Sequence, residues 1–361
     1  MVCPPSHRPG EEWAALPPGV EIAIIDESLT RAKIKEIVAR HDVVQVGPNG
    51  PRWRSGILLE FARQAQRSGK CLITGLSSNR AKTTLMNAAS GGFLRRLKAR
   101  IVAASILSSQ RYVASISDGV FFTGHGLEPM LGMPLSNPHV GIASWIRAED
   151  MLTPAEFEEK RKRFVSSPSL SLCVASRLER MKGVHLAVEA IAMLAVRPEG
   201  GAPALTIFGA GAEEPRLRAL VASRRLEGVI TFGGTLAYPE PFFSRIAEFD
   251  VLLLPNLNDE QPRVLFDAIS RGVLPIFPDS PAYRLLGLPE RAQFEAGSAA
   301  SLAKRIETLL SRRDNGALLE EITLRSRLFT LDSMHEARAR WIARTLERKL
   351  ETQARQSRSL S

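Results

Sequence analysis

Short apolar runs alternate with amphipathic stretches along most of this chain. Runs at residues 20–25, 43–46, 70–74, 119–123 and 140–144 have the length of buried strands. A second series follows at 170–175, 204–208, 229–232, 251–254 and 274–277. Between them, apolar residues recur at helical spacing: Ile34, Ile37 and Val38 in one stretch, Leu58, Leu59, Phe61 and Ala62 in the next. Strands that alternate with helices predict parallel sheets joined by crossovers, so the chain reads as α/β. The most pronounced stripe is at 92–107, where Phe93, Leu94, Leu97, Ile101 and Val102 share a face and Arg95, Arg96, Lys98 and Arg100 crowd the other side. A basic amphipathic helix of this kind can lie on anionic headgroups, or can bury its stripe in a domain core.

A chain of 361 residues is long for one hydrophobic core. Composition shifts to small, turn-forming residues at 166–169 (SSPS), and a linker is expected there. The expected organisation is a flexible lead-in over 1–19, a first domain over 20–165, a second over 170–330, and a last helix over 333–350. No run reaches the roughly 18 apolar residues of a membrane-spanning helix. The opening residues lack the apolar core of a signal peptide. Three cysteines, Cys3, Cys71 and Cys173, show no paired spacing, which argues for a reducing compartment and against zinc. A cytoplasmic protein is expected. The formal charge of +10 suits an anionic membrane surface or a phosphorylated substrate. Nucleic acid is set aside as a partner, because few aromatics are available to stack bases and no recognition motif is present.

Candidate chemistry concentrates at residues 250–275, DVLLLPNLNDEQPRVLFDAISRGVLP. This reads as a buried strand, a Pro/Asn loop, a helix from about residue 263, a glycine stop and a new strand. Asp259 ends the loop and Asp267 lies on the helix, eight residues on and about two turns away. The helix N-terminus between them offers free N–H groups and the positive end of its dipole. A diphosphate at that helix end and hydroxyls at the carboxylates is the demand of a sugar nucleotide. Upstream, a strand at 170–175 runs into Ser176-Arg177-Leu178-Glu179-Arg180-Met181-Lys182-Gly183, where a forked cation and a point charge are available for phosphate. Gly209 and Gly211 form a turn after the next strand, and Gly233 and Gly234 close the one after that.

These segments resemble family-4 glycosyltransferases of the GT-B fold. The family's E-x7-E segment usually reads E-G-F-P-R-V-L-L-E-A-M-A-x-G-x-P, and Pro262, Arg263, Val264, Leu265, Ala268 and Gly272 match it. Aspartates replace both glutamates, with Glu260 able to substitute for Asp259, and Pro275 comes one place late. The 176–183 turn resembles the family's G-R-L-x-x-x-K-G. The resemblance implies two Rossmann-like parallel-sheet domains facing a cleft, with the last helix crossing back onto the first domain. It implies a hexosyl- or other glycosyltransferase that moves a sugar from a nucleotide-diphosphate sugar to a hydroxyl of a glycan or lipid-linked acceptor, in polysaccharide, lipopolysaccharide or glycolipid assembly. Retention of anomeric configuration follows by the same resemblance, with no metal and no cofactor, since the sugar nucleotide is itself a substrate. Asp259, Arg177 and Lys182 are then the catalytic set. Gly209, Gly211, Gly233, Glu260, Arg263, Val264 and Asp267 bind the donor. The 93–107 helix becomes a candidate for peripheral attachment to the inner face of the membrane.

The first domain departs from the family. No glycine-rich loop follows its first strand, and Leu76 and Ser77 stand where a His-Asp step is usual. The run LSSNRAKTT (76–84) invites comparison with a P-loop but lacks both glycines, with Leu76 and Ala81 in their places. His125, framed by Gly124 and Gly126 after a strand, is the one candidate on the acceptor side. Two other readings stay open: a nucleotide-binding homologue without turnover that serves as a partner subunit, and a GT-B epimerase. A Rossmann dehydrogenase is excluded by the absence of an early G-x-G-x-x-G.

Overall fold

The computed structural model describes residues 2–3, 23–24, 29–89, 91–167, 169–197, 201–311 and 315–359. The lead-in apart from Val2 and Cys3, and most of the strand expected at 20–25, lie outside these. The strands in chain order are β1 (Val2–Cys3), β2 (Ala23–Ile24), β3 (Val43–Val46), β4 (Cys71–Leu76), β5 (Gly119–Thr123), β6 (Pro138–Gly141), β7 (Leu172–Ala175), β8 (Leu205–Phe208), β9 (Ile230–Gly234), β10 (Val251–Leu253), β11 (Leu274–Pro278) and β12 (Gln293–Phe294). The helices are α1 (Arg31–Ala39), α2 (Gly56–Arg67), α3 (Arg80–Ala88), α4 (Phe93–Ile116), α5 (Pro154–Ser166), α6 (Val184–Ala195), α7 (Glu214–Ser223), α8 (Glu240–Ile246), α9 (Val264–Ser270), α10 (Pro281–Arg284), α11 (Ala299–Leu310), α12 (Asn315–Ser326) and α13 (Leu331–Ser359).

β1 pairs with β2. The first domain is built on a parallel sheet in the order β3-β4-β5-β6, and the second on a parallel sheet in the order β12-β11-β10-β7-β8-β9. Counted from β7, the second order is 3-2-1-4-5-6, the doubly wound arrangement in which strand order reverses between its first and fourth strands. That reversal opens a crevice between the carboxyl ends of β7 and β10. Both strands are buried along their whole length, as parallel strands covered on two faces must be.

The domain boundary falls earlier than the SSPS stretch suggests. Helix α5 packs on the second domain: Phe164 joins its core, and Lys160 reaches across to donate to the carbonyls of Ala247 and Phe249 at 2.6 Å each. Burial pushes the Lys160 ammonium down to about 8. Ile146 also belongs to the second core, so the crossover lies near residues 142–146. Ser166 ends α5, and Ser167 and Ser169 lie between it and β7 rather than in a linker between domains.

Helix α13 returns to the first sheet. Trp341 packs against Phe121, stacks on His139 at 5.3 Å between ring centres, and lies so near Gly119 that a side chain there would collide with the indole. Farther along, Lys349 pairs with Asp118 at 2.9 Å and Gln353 donates to the carbonyl of Gly69 at 2.8 Å. Helix α4 is longer than its stripe predicts, and its N-terminal half leaves most of that stripe in solvent, with Val102 packed beside Ala81, Ala103 and Ile106. Phe93 is 72% exposed and Leu94 79%, with Leu97, Ile101 and Leu85 of α3 exposed beside them. No helix among the described residues is long and apolar enough to cross a membrane.

Candidate active site

The crevice at the β7/β10 switch point is a cavity of about 570 Å³. Its floor is the carboxyl ends of the two strands, Val174, Ala175, Leu253 and Leu254. Arg177, Lys182, Gly209, Arg263, Val264 and Asp267, all anticipated from sequence, line it. So do several residues that periodicity could not single out: Trp145 from the crossover, Phe208, Thr235, Tyr238, Phe242 and Asn256. Aromatic side chains in that set supply the flat apolar walls a nucleoside requires, and a 3.6- or 2-residue period reports only that they are apolar.

Lys182 stands in the turn that joins β7 to α6, braced by the loop after β10. Gly183 has φ +63°, and its Cα lies so close to the carbonyl of Pro255 that a side chain could not be added. The backbone N–H of Leu257 donates to Met181 at 2.8 Å, completing the brace. Burial lowers the Lys182 ammonium below the usual lysine range, and the neighbouring Glu260 carboxylate pulls the other way. Arg177 is exposed and turned to Glu179, at 2.7 Å. Gly209, at φ +122°, lets the turn after β8 approach the Ser176 backbone at the cavity mouth. Gly211 packs on the Leu178 backbone and Gly233 on the Phe208 ring. They line no part of this cavity and act on it through the fit of those loops.

Asp267 on α9 also lines the cavity and is only 6% exposed. Among the described residues no hydrogen-bond or ion-pair partner reaches its carboxylate or the Lys182 ammonium. Burial pushes the Asp267 carboxyl up to about 7; Arg263 and Arg271 oppose that rise and Asp150 adds to it. The Arg263 guanidinium lies over the Trp145 ring at 3.9 Å, which ties the crossover to the start of α9.

Asp259 and Glu260 are placed differently from Asp267. Neither lines the cavity. Both meet the first domain, Asp259 through Lys82 at 2.7 Å and Glu260 through the Asn79 N–H at 3.1 Å. His125 sits on the loop that packs on this same segment: a side chain at Gly126 would run into the Asp259 backbone. The acidic loop and the Gly-His-Gly turn, 133 residues apart in sequence at Gly126 and Asp259, therefore form one inter-domain seam. Lys82 was within the 76–84 run, but a test for phosphate-wrapping glycines cannot detect a side chain that acts across domains.

Residues 156–325 match the model of the family described as glycosyl transferases group 1. This segment belongs to that family. The match covers α5 to α12, and so contains the whole six-stranded sheet and every described residue lining the cavity except Trp145. Solved structures extend the likeness over both domains. Anabaena Alr3699/HepE in complex with UDP-glucose superposes with a TM-score of 0.61 at 13% identity, covering 92% of this chain and 85% of its own. Sucrose-phosphate synthase from Thermosynechococcus elongatus gives 0.57 at 16% identity, over 94% and 82%. A glycosyltransferase from Rickettsia africae gives 0.59 at 16% identity, over 90% and 85%. The architecture is GT-B. No curated protein matches the sequence.

Proposed function

We propose that the protein is a glycosyltransferase that moves a hexosyl or related group from a nucleoside-diphosphate sugar to a hydroxyl acceptor. One observation carries the reading: the switch-point cavity is lined both by an ammonium, Lys182, and by a buried carboxyl, Asp267, neither of which has a partner among the described residues. Lys182, Arg177 and Arg263 suit the two phosphates, and Asp267 suits the ribose hydroxyls. Negative charge develops on the departing diphosphate as the glycosidic bond breaks, so cations fixed beside it stabilise the transition state more than the ground state. That is the role a metal has elsewhere, and the reading needs none. Asp259 is the candidate for the transferred sugar's hydroxyls, and His125, on the same seam, faces the acceptor side. Retention of configuration is part of the proposal, as is assembly of a polysaccharide, lipopolysaccharide or glycolipid.

The exposed apolar stripe of α4 favours an acceptor held at a membrane. Phe93, Leu94, Leu97 and Ile101 stand in solvent among Arg95, Arg96, Lys98 and Arg100, the arrangement that seats a helix at an anionic cytoplasmic leaflet.

The experiment is a thermal-shift screen against nucleoside diphosphates and their sugars, beginning with UDP and UDP-glucose, followed by assay of donor hydrolysis. A ligand that binds only the native state at a hundred times its Kd stabilises it by about 2.7 kcal/mol. A shift that Arg177→Ala abolishes supports the site. No shift with any nucleotide overturns the reading. Binding without transfer or hydrolysis assigns the chain as a nucleotide-binding partner subunit, and conversion of the free sugar nucleotide assigns it as an epimerase.

A further inference from the structure

Two adjacent carboxylates beside a diphosphate pose an electrostatic difficulty. Asp259 and Glu260 lie just before the lining residues Pro262, Arg263, Val264 and Asp267, separated from them by Gln261, and Glu260 is near enough to Lys182 to influence its ionisation. A donor entering with its own negative charges meets this loop at the end where the sugar must lie. Like charges in a partly desolvated cleft repel strongly unless cations are interposed.

The first domain interposes one. The Lys82 ammonium is 2.7 Å from Asp259 Oδ2, and the Ser280 hydroxyl donates to Oδ1 at 3.3 Å, so both oxygens are oriented. The Asn79 N–H donates to Glu260 Oε1 at 3.1 Å, while the Asn79 side chain caps α3 by accepting from the Lys82 N–H at 2.9 Å. One residue further, the Ala143 N–H donates to Gln261 Oε1 at 2.9 Å. Asp259 and Glu260 are thus held by the first domain, and Gln261 by the crossover between the two. Cap and cation come from the same helix start, so Lys82 is aimed by the fold rather than by its own rotamer preference. Lys82 and Asp259 keep about a third of their side-chain surface in solvent, at 39% and 34%, which leaves room for a sugar hydroxyl at the carboxylate.

We propose that Lys82 is a positioning residue of the donor site: it orients Asp259 toward the transferred sugar and cancels a negative charge the acidic loop would otherwise present to the donor diphosphate. The proposal rests on reading the cavity as a nucleotide-sugar site. It makes the donor site a product of both domains. An aspartate, one methylene shorter than glutamate, acts here because the first domain closes onto it.

The test is calorimetric titration of UDP and UDP-glucose, or of GDP and GDP-mannose if those are what the parent binds, into parent, Lys82→Gln, Lys82→Arg, Asp259→Asn and the Lys82→Gln/Asp259→Asn double variant. Lys82→Gln is expected to weaken sugar-nucleotide binding on the order of tenfold. Lys82→Arg restores it to within about threefold, since the charge is kept. Adding Asp259→Asn to Lys82→Gln recovers affinity for the diphosphate, but not for the sugar nucleotide, because the repelling charge and the sugar contact leave together. A purely structural lysine would not produce that divergence between the two ligands. Melting curves of the unliganded variants confirm that each is folded. Unchanged affinities in Lys82→Gln, or a double variant that binds diphosphate no better than the single one, overturn the role of Lys82 while leaving the nucleotide site intact. A parent that binds no nucleoside diphosphate of any base, in the thermal-shift screen or by calorimetry, overturns the functional reading itself.

Discussion

Replacing Asp267 by Asn separates what this carboxyl does to folding from what it does for a ligand. Its ionisation rises from 3.8 to about 7 on folding, chiefly through burial. A folded-state value above the unfolded one means the native protein holds a proton that the unfolded chain releases, so stability falls as pH rises through that window. Well below pH 3.8 both states carry the neutral acid and the side chain costs little; at pH 4 the unfolded carboxyl is more than half ionised, and the cost is still under about 1 kcal/mol. Between pH 4 and pH 7 the penalty grows, and above pH 7 it levels at about 4 kcal/mol, from some three pH units at 1.36 kcal/mol each. Asn is nearly isosteric and never ionises. The variant is therefore expected to be more stable than the parent at pH 8 by up to about 4 kcal/mol, with the difference falling to under about 1 kcal/mol at pH 4. In a domain of this size that is a rise in Tm of roughly 8–16 °C. The assay is urea or thermal unfolding of both proteins, followed by circular dichroism from pH 4 to pH 8. The variant should at the same time lose nucleotide-induced stabilisation, since the acceptor proposed for the ribose hydroxyls has become in part a donor. Gain of stability with loss of ligand response is the signature of a group kept for function. Parallel stability curves across that pH range would refute the argument, because burial would then not be controlling the carboxyl.

Other perturbations test separate parts of the molecule. Lys182→Met should weaken nucleoside diphosphate binding about 10- to 100-fold in calorimetry, as loss of a charge-assisted contact implies; an unchanged Kd would remove Lys182 from the site. Trp341→Ala empties the contact between α13 and the first sheet and should cost about 3–5 kcal/mol in denaturant unfolding; a loss under 1 kcal/mol would mean that α13 is not held by this packing. Replacing Phe93 and Leu94 by Ser should reduce sedimentation with vesicles rich in anionic lipid on the order of tenfold per side chain, with nucleotide binding unaffected. Vesicle binding that persists at the parent's level would assign the exposed stripe another partner.

The second domain was legible because its physics is local. Buried parallel strands are continuous apolar runs, glycines stand where loops touch, and the R-x-x-x-x-K turn and the acid-flanked helix keep fixed spacings. Arg177, Lys182, Arg263 and Asp267 converge because the strands that carry them, β7 and β10, are neighbours at the switch point. The boundary between domains was misplaced for the converse reason. Small residues signal a turn, but whether α5 packs forward or backward depends on Phe164 and Lys160 finding the second core. Nor could the stripe of α4 declare whether it faces protein or solvent, since periodicity reports amphipathicity and not what lies opposite.

By itself, then, the amino-acid sequence determined the alternation of strands and helices, the family of residues 156–325 and the order of the cationic turn and acidic helix along the chain. Only the tertiary structure decided that Asp267 is buried without a partner among the described residues, that aromatic residues wall the cavity, and that Lys82 reaches Asp259 from the other domain. Each of these is a meeting of side chains distant in sequence. Such meetings depend on how two finished sheets pack, and no local spacing encodes that.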